Sequence, residues 1–343
     1  MKAIVIARPG GPEVLEYRDV PEPVPGPEDL LVSVRAAGLN RADLLQRRGG
    51  YPQPGPKPEF DVPGLEFAGE VVSVGGRVEG FAAGDRVMGL LSGQGYAEQV
   101  VVHCRQAMKV PNNLSWAEAG GVPEVYITAH DALLQAGFTA GESALVHAAG
   151  SGVGVALIQI AKMLGASLVI GTAGTDEKLT KAKGLGLDVG VNYREADFAD
   201  AVKEATGGRG VDVVLDSVGA DYLDRNLQSL ALKGRMVVYG LMSGAIVQAN
   251  LGMLLQKRAR VMGTTLRARP LEEKAMATRA FEKTVLPHIA SGRIKVPVDR
   301  VFPLAEAAAA QEYLESNANF GKVVLEVPEE IAFREGGNVG AGF

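Results

Sequence analysis

The sequence predicts an α/β protein with two domains, a β-rich domain and a doubly wound parallel sheet. Strand-like and helix-like segments alternate from about residue 124 to residue 266, as they do in doubly wound folds. The first strand of this region leads through a glycine-rich turn into a helical pattern, which is typical of a dinucleotide-binding turn. Before residue 124, short runs rich in Val and Ile alternate with clusters of Pro and Gly, and this pattern indicates β-strands joined by turns. A length of 343 residues suffices for both domains.

Five strand-like runs account for the β-rich first third. They lie at residues 2–7, 30–36, 67–74, 85–91 and 96–102. Long turns rich in Pro and Gly separate them, which predicts a barrel-like all-β domain rather than a series of βαβ units.

Six further strand-like runs follow, and they are nearly continuous in Val, Ile and Leu, as expected for strands that are covered on both faces. They lie at residues 143–148, 167–172, 188–193, 211–218, 234–240 and 258–264. Helical patterns separate them at residues 155–165, 177–186, 198–208, 223–233 and 250–257. Six strands with intervening helices predict a Rossmann-type sheet that binds a dinucleotide.

The last quarter of the chain is expected to fold back onto the first domain. It contains a helical pattern at 270–292, a segment at 296–304, a second helical pattern at 305–316 and a strand-like run at 322–327. Residues 331–343 lack periodicity and are rich in Gly, so this tail is expected to be flexible.

Composition excludes several classes of protein. The net charge of −5 argues against a partner that is a nucleic acid or a membrane surface. No apolar run reaches the roughly 18 residues of a membrane span, and the first residues do not read as a signal peptide. A single cysteine excludes a framework of intramolecular disulfides. A cytoplasmic protein is therefore the expectation.

The turn at residues 145–154, LVHAAGSGVG, departs from the G-x-G-x-x-G pattern. Aligned on its last glycine, Gly154, it has Ala149 and Ser151 at the first two glycine positions. The Ser151 hydroxyl could bind a phosphate oxygen, and a helix that starts near Gly152 would direct free N–H groups at a pyrophosphate. The alternative is a strand-to-helix turn without a ligand.

The end of the second strand distinguishes the two dinucleotides. NAD enzymes carry an acidic residue there for the ribose 2′-OH, but this chain has Ala173. Gly174, Thr175 and Lys178 follow at the start of a helix, where a phosphate would be favoured, and Tyr193 ends the next strand. The acidic pair before Lys178 counts against a phosphate unless it points to solvent, and Lys178 could be an ordinary surface lysine. The balance favours NADPH.

The motifs together resemble those of the zinc-free medium-chain dehydrogenases/reductases of the NADPH:quinone oxidoreductase (zeta-crystallin-like) type. Within these, the chain most resembles the quinone oxidoreductases that a tumour suppressor induces in animals, and their bacterial counterparts. The matching stretches span residues 1–328 and are GGPEVL, GLNRADLLQRRGGYPQP, PGLEFAGEVVSVG, GDRVMGLL, PEVYITAHDAL, HAAGSGVG, TAGTDEKL, LDSVG, GRMVVYGLM and NFGKVVLEV.

This resemblance implies a GroES-like catalytic domain formed by residues 1–123 and 267–330 and a Rossmann domain at 124–266. It also implies a cleft between the two domains, a preference for NADPH, and a homodimer or a dimer of dimers.

The zinc ligands of related dehydrogenases are missing from the sequence. Zinc-dependent relatives carry a catalytic Cys where this chain has Asn40, and Gly-His-Glu where it has Gly64, Leu65 and Glu66. They also carry a lobe with four cysteines, whereas the sole cysteine here is Cys104. A catalytic zinc needs three protein ligands, so no metal is expected.

Without zinc, the favoured substrates are those whose reduced form is a weakly basic anion. Reducing a simple ketone passes through an alkoxide, which Zn²⁺ normally stabilises. A quinone gives a delocalised phenolate-like anion instead, and it needs alignment with the nicotinamide more than an acid. The sequence therefore predicts an NADPH-dependent, zinc-independent reductase of quinones. The alternatives are a 2-alkenal or enoyl reductase and a non-catalytic NADPH-binding protein, either crystallin-like or RNA-binding.

Asn40 and Tyr51 are the candidates for polar contact with the substrate oxygen. Asn40 could equally be the N-cap of the following helix, and Tyr51 could pack its own loop onto the domain. Thr128 resembles a family position near the cofactor, although its hydroxyl could bond its own helix. The full set of predicted cofactor contacts is Thr128, Ser151, Gly152, Val153, Gly154, Gly174, Thr175, Lys178, Tyr193, Ser217, Val218, Gly240, Leu241, Leu266 and Lys322.

Overall fold

A computed structural model describes residues 1–51 and 53–327, so the predicted flexible tail at 331–343 lies outside the described residues. In chain order, the strands of the described residues are β1 (Lys2–Ile6), β2 (Leu15–Asp19), β3 (Asp29–Gly38), β4 (Glu66–Val74), β5 (Arg86–Leu90), β6 (Gln99–His103), β7 (Ala107–Lys109), β8 (Ser143–Val146), β9 (Leu168–Ala173), β10 (Val189–Asn192), β11 (Val211–Asp216), β12 (Leu230–Val238), β13 (Arg260–Gly263), β14 (Val298–Pro303) and β15 (Lys322–Glu326).

The α-helices of the same residues are α1 (Arg41–Arg47), α2 (Trp116–Gly120), α3 (Pro123–Gln135), α4 (Gly152–Met163), α5 (Asp176–Lys183), α6 (Phe198–Ala205), α7 (Leu223–Ser229), α8 (Leu251–Lys257), α9 (Leu271–Thr284), α10 (Leu286–Ala290) and α11 (Ala307–Glu315). None of these helices is long and apolar enough to cross a membrane.

The six strands β8 to β13 form one parallel sheet in the order β10-β9-β8-β11-β12-β13. This is the doubly wound order 3-2-1-4-5-6 of dinucleotide-binding folds, so the prediction is confirmed. Successive side chains of a strand point to opposite faces. Accordingly, Val213 and Leu215 pack into one apolar core while Val214 packs into another. Burial on both faces explains why these strands are so uniformly aliphatic.

The second sheet has seven strands, which come from the first third and the last quarter of the chain, whereas β1 and β2 pair with each other in a separate two-stranded sheet. The order of the seven-stranded sheet is β14-β15-β3-β4-β5-β7, with β6 also paired to β3. Strand β15 runs antiparallel to β3, with Leu325 opposite Ala37, so the last quarter of the chain does fold back onto the first. The proposed boundaries at 123/124 and 266/267 remain a prediction.

Two predicted helices are wrong in their extent. The pattern at 270–292 forms two helices, α9 and α10, because Pro287 has no N–H with which to continue the first. The pattern at 223–233 ends as a helix at Ser229, and Leu230 begins β12 by pairing with Val211. Leu and Ala favour helices locally, but pairing with the neighbouring strand overrides that preference. Strands β2 and β7 and helix α2 were not predicted, and helices α1 and α3 were supposed only in the alternative interpretations of Asn40 and Thr128.

The two sheets meet at the glycine-rich turn. Gly321, the residue before β15, donates its N–H to the Gly150 carbonyl at 2.8 Å. This bond brings the start of β15 from one sheet against the turn that follows β8 of the other. Any ligand of the turn therefore lies beside residues of both sheets.

Candidate active site and cofactor cleft

The glycine-rich turn is built for close packing at Gly154. A Cβ at Gly154 would lie 2.2 Å from the Ala148 carbonyl oxygen, so this position accepts only glycine and retains the third role of the fingerprint. The left-handed residue of the turn is Ala148, with φ +51°. Ala149 is fully buried and donates its N–H to the Thr172 carbonyl at 2.8 Å, so it can replace the first glycine without strain.

Ser151 is the N-cap of α4. Its Oγ accepts a hydrogen bond from the Gly154 N–H at 3.0 Å, which leaves the hydroxyl proton free to be donated to a ligand. The N–H groups of Gly152 and Val153 have no acceptor in the described part of the chain. Three donors thus surround the positive end of the helix dipole, and this arrangement suits a pyrophosphate.

The ends of β9 and β10 lie beside the glycine-rich turn, because β9 pairs with β8 and β10 pairs with β9. Ala173 is buried at the end of β9 and provides no carboxylate. A Cβ at Gly174 would lie 2.7 Å from the Tyr193 hydroxyl and 3.3 Å from Arg194 Nε, so both side chains lie against this glycine. Thr175 caps α5 by accepting the Lys178 N–H at 3.4 Å. The structure therefore brings the predicted residues of this region together and adds Arg194.

A cluster of positive charge adjoins this place. The Lys178 ammonium donates to the Asn317 carbonyl, and the Arg41 guanidinium donates to the Asn317 side-chain oxygen. Burial lowers the pKa of Lys178, and the nearby Arg41 and Arg194 lower it further. The Asp299 and Glu177 carboxylates act in the opposite direction on this pKa, but burial is the largest cause and the net shift is downward. Three like charges gathered in one place favour an anionic ligand.

The acidic pair that counted against this site is engaged elsewhere. Asp176 accepts a hydrogen bond from Asn192 Nδ2 at 3.2 Å, and Glu177 pairs with Lys181 at 2.7 Å. Both carboxylates are exposed, so they do not oppose a phosphate beside Gly174.

The remaining strand ends lie along the same edge of the parallel sheet. Gly240 packs against the end of β11, where a Cβ would lie 3.0 Å from the Ser217 carbonyl oxygen. The Val218 N–H is held by Asp216 Oδ1 at 2.7 Å, and Leu241 is exposed. Leu266 differs, because only 5% of its surface is accessible and its side chain belongs to the core.

Asn40, Glu66 and Lys322 form a buried network between the two sheets. The Lys322 ammonium lies 2.7 Å from Glu66 Oε1 and 3.0 Å from Asn40 Oδ1. Asn40 Nδ2 donates to the same Glu66 oxygen at 2.9 Å. Glu66 is fully buried and Lys322 is 2% exposed. The charges on either side of Asn40 fix the orientation of its amide, with oxygen towards the ammonium and nitrogen towards the carboxylate.

In this network, the side chains of Asn40 and Lys322 contact protein groups, whereas the sequence predicted contacts with the substrate and the cofactor. Lys322 donates its third proton to the Leu39 carbonyl at 2.7 Å, so its three donors are engaged and none is free for a cofactor phosphate. Asn40 is the N-cap residue of α1, as the alternative supposed, but its amide is directed into the network and not at a substrate. Its backbone N–H is held by Asp43 Oδ2 at 2.7 Å.

Tyr51 connects the loop after α1 with the segment that follows β13. Its hydroxyl is 3.2 Å from Thr265 Oγ1, in the segment that follows β13. The buried Arg267 guanidinium stacks on the Tyr51 ring at 4.9 Å and donates to the Tyr51 carbonyl at 2.8 Å. Arg267 was missed by sequence reasoning, since a single arginine after a strand carries no local signal of what it clamps.

One face of α3 is partly exposed to solvent beside the buried network. Glu124, Thr128 and Asp131 keep part of their surface open to solvent, whereas the helix residues between them are mostly buried. Residues spaced by three or four positions lie on one helix face. At one end of this face the Glu124 N–H donates to Glu66 Oε2 of β4 at 2.8 Å, and at the other end the Asp131 carboxylate pairs with Arg269 at 2.6 Å.

Thr128 lies in the middle of this face of α3. Its hydroxyl has no hydrogen-bond partner within residues 1–51 and 53–327, so the alternative of a bond to its own helix is not what the structure shows. The hydroxyl is free to contact a bound molecule.

Comparison with known proteins agrees with this architecture. Residues 26–136 match the model of the alcohol dehydrogenase GroES-like domain, and residues 152–282 match that of the zinc-binding dehydrogenases. The chain is 37% identical to a quinone oxidoreductase of Pseudomonas aeruginosa over 330 residues, which is 94% of this chain and 99% of that protein. The chain belongs to the zinc-free quinone oxidoreductase family of the medium-chain dehydrogenases/reductases. The resemblance predicted from the motifs and the GroES-like assignment of the first domain are thus confirmed.

Two solved structures of family relatives have the same fold. An Escherichia coli quinone oxidoreductase complexed with NADPH is 35% identical, with a TM-score of 0.85, and the match covers 95% of this chain and all (100%) of that one. The crystal structure of an NAD-dependent alcohol dehydrogenase is 36% identical, also with a TM-score of 0.85, over 96% of this chain and 100% of that one. The fold is therefore shared by proteins described with different cofactors.

The residues present do not fit the zinc ion that one matching family model implies. The Glu66 carboxylate is already bound by the Lys322 ammonium at 2.7 Å, and Asn40 stands where relatives carry a thiolate. Across the described ranges, no group of three or more His, Cys, Asp or Glu side chains could hold a metal ion. Zinc independence itself stays a prediction for experiment.

Proposed function

We propose that this protein is an NADPH-dependent reductase that transfers hydride to quinones without a metal ion. The observation that carries the proposal is the buried network of Asn40, Glu66 and Lys322. Where zinc-dependent relatives polarise a carbonyl with a metal, this chain has an ammonium that is fully occupied by protein acceptors. Substrates that form strongly basic alkoxides would lack stabilisation there. Quinones avoid that requirement because their reduced anion is delocalised.

The cofactor proposal rests on two anion sites. Ser151, Gly152 and Val153 offer three free donors to a pyrophosphate. Tyr193, Lys178 and Arg194 surround the place that a ribose 2′-phosphate would take, and Ala173 presents no charge against it. When bound, NADPH supplies the hydride.

The protein would then act mainly by positioning. Thr128 and the strand ends at Val218, Gly240 and Leu241 would line the nicotinamide side of the cleft, because ligands of doubly wound sheets bind at the carboxyl ends of the strands. Tyr51, held by Arg267, would contact the quinone from the opposite side. Holding the two reactants in alignment lowers the barrier to hydride transfer.

The test uses protein freed of metal by chelation. It is mixed with NADPH and an ortho-quinone, and the nicotinamide absorbance is followed, in parallel with 2-alkenals, enoyl thioesters and simple ketones. We expect turnover of the quinone, slower or no turnover of ketones, and no gain from added Zn²⁺. Absence of turnover across all quinones and enones would overturn the proposal, and a preference for enones would transfer it to enoyl reduction. A gel shift with single-stranded RNA tests the non-catalytic alternative.

A further inference from the structure

Glu124 is a partly exposed acid beside the buried network, and no other part of the proposed mechanism uses its carboxyl group. It lies in the first turn of α3, at the end of the helix face that also bears Thr128. Its backbone N–H donates to Glu66 Oε2 at 2.8 Å, which places the residue directly beside the buried network. Its carboxyl oxygens have no hydrogen-bond partner in the described part of the chain. The group is therefore held in place by its backbone and left free at its tip.

We propose that Glu124 is the proton donor of the reduction, a catalytic role that rests on the function proposed above. No other acid with a free tip lies on the face of α3 between the buried network and Arg269, since the Asp131 carboxylate is paired. The proposal replaces Asn40, whose amide is saturated, as the polar group that meets the substrate oxygen.

The surroundings of Glu124 keep it protonated at neutral pH. Burial of its carboxyl raises its pKa to about 8, and the Glu66 carboxylate is the next contribution. Asp43 raises the pKa as well, whereas Lys322 and Arg267 lower it. Lys274, which donates to Ser92 at 2.7 Å, also faces Glu124. The positive charges of Lys322 and Arg267 lower the pKa of Glu124 by less than burial raises it.

The proton balance of the step is simple. A quinone that accepts one hydride becomes a hydroquinone monoanion. The O–H bond of the Glu124 carboxyl breaks as the anionic oxygen takes its proton, which yields the neutral hydroquinone. The carboxylate of Glu124 recovers a proton from water, because the residue keeps contact with solvent. One hydride and one proton enter the quinone, and NADP⁺ and hydroquinone leave.

The experiment compares wild type with Glu124→Gln and Glu124→Asp, and with Glu204→Gln as a control at an exposed helix position. The first readout needs no turnover. Infrared spectra of the protein without cofactor should lose one protonated carboxyl band between pH 7 and pH 9.5 in wild type and in Glu204→Gln, but not in Glu124→Gln. The second readout is kcat for an ortho-quinone with NADPH across the same range.

We expect kcat of the wild type to fall above the pKa of Glu124 and that of Glu124→Gln to be lower by about 10²-fold and flat with pH. Glu124→Asp should regain part of the rate, and the NADPH dissociation constant should be the same in all variants. An active wild type with an equally active Glu124→Gln and the same pH profile would overturn this inference alone. A wild type that binds NADPH but reduces no quinone would overturn the proposed function and this inference with it.

Discussion

The ammonium of Lys322 lies 2.7 Å from Glu66 Oε1, and both groups are almost completely removed from water. Taking either partner away would leave an uncompensated buried charge, which costs about 3–5 kcal/mol. We therefore expect Lys322→Met to lower the free energy of unfolding by about that amount, measured by urea denaturation. The exposed pair Lys2–Asp19 has the same distance of 2.7 Å, and Lys2→Met should cost less than about 1 kcal/mol. Equal losses in the two variants would contradict the assignment.

Replacing Ser151 should lower both the stability of the fold and the affinity for NADPH. Ser151→Ala removes the N-cap of α4 and should cost about 1 kcal/mol of stability. It also removes a hydroxyl proposed to bind phosphate, so the NADPH dissociation constant should rise on the order of tenfold or more. Ser115→Ala, which removes the cap of α2, should show the first effect without the second. Fluorescence titration with NADPH measures the difference. Unchanged NADPH affinity in Ser151→Ala would leave Ser151 with a capping role only.

Lys178 and Arg194 should set the preference between the two dinucleotides. Lys178→Ala and Arg194→Ala should each weaken NADPH binding by about tenfold while leaving NADH nearly unchanged, because only NADPH carries the 2′-phosphate. Lys181→Ala removes an exposed lysine on the same helix that pairs with Glu177, and we expect no change with either cofactor. An equal loss of NADPH and NADH binding would mean that neither residue contacts the 2′-phosphate.

His147 should make the stability sensitive to acid. Burial lowers its pKa to about 4, against an ordinary value of 6.5. Below pH 6.5 the imidazole of His147 is protonated in the unfolded chain but stays neutral in the folded chain. The free energy of unfolding therefore decreases by ~3 kcal/mol as the pH falls from about 6.5 to about 4. Asp43 and Asp216, whose pKa burial raises to about 6, act with the opposite sign. The contribution of His147 to the pH dependence must therefore be measured by comparing wild type with a variant at this position.

His147→Gln isolates this contribution. The difference in unfolding free energy between wild type and the variant should shrink as pH falls through that window, in urea denaturation at several pH values. A constant difference would show that His147 titrates normally.

The outer edge of β13 should be a dimer contact. Strand β13 pairs with β12 on one side and with no strand of the described residues on the other, and Val261 on it is 42% exposed. Val261→Lys should weaken self-association, because a lysine on an edge strand opposes pairing with a second copy. Val301→Lys on the edge strand β14, where Val301 is 40% exposed, is the matched control. Sedimentation velocity distinguishes the two. A monomeric wild type would contradict the predicted homodimer.

Much of the nucleotide-binding half could be predicted because its determinants are local. Strands covered on both faces are aliphatic throughout, and the strands β8 to β13 could be located from that property alone. The turn before α4 was recognised from Gly154, whose packing against Ala148 tolerates no side chain. The extent of β12 was missed because Leu230 favours a helix locally and becomes a strand residue only by pairing with Val211.

The site required contacts between residues that are far apart in the chain. Arg194 adjoins Tyr193, so its presence at the proposed phosphate site could have been suspected, but Asn317 joins Lys178 to Arg41 from another part of the fold. From the sequence alone, Glu124 looks like an ordinary acidic residue in the first turn of a helix. Its chemistry follows from burial next to Glu66, which the sequence does not contain.

The sequence by itself determined the doubly wound sheet, the glycine-rich turn and the lack of an acidic residue at Ala173, because each depends on residue type and spacing within a short stretch. Only the tertiary structure decided that Lys322 meets Glu66, 256 residues away in the chain, and that Asn40 is turned into this pair. Partners and burial set the chemistry of a charged side chain, and both arise when distant segments pack together.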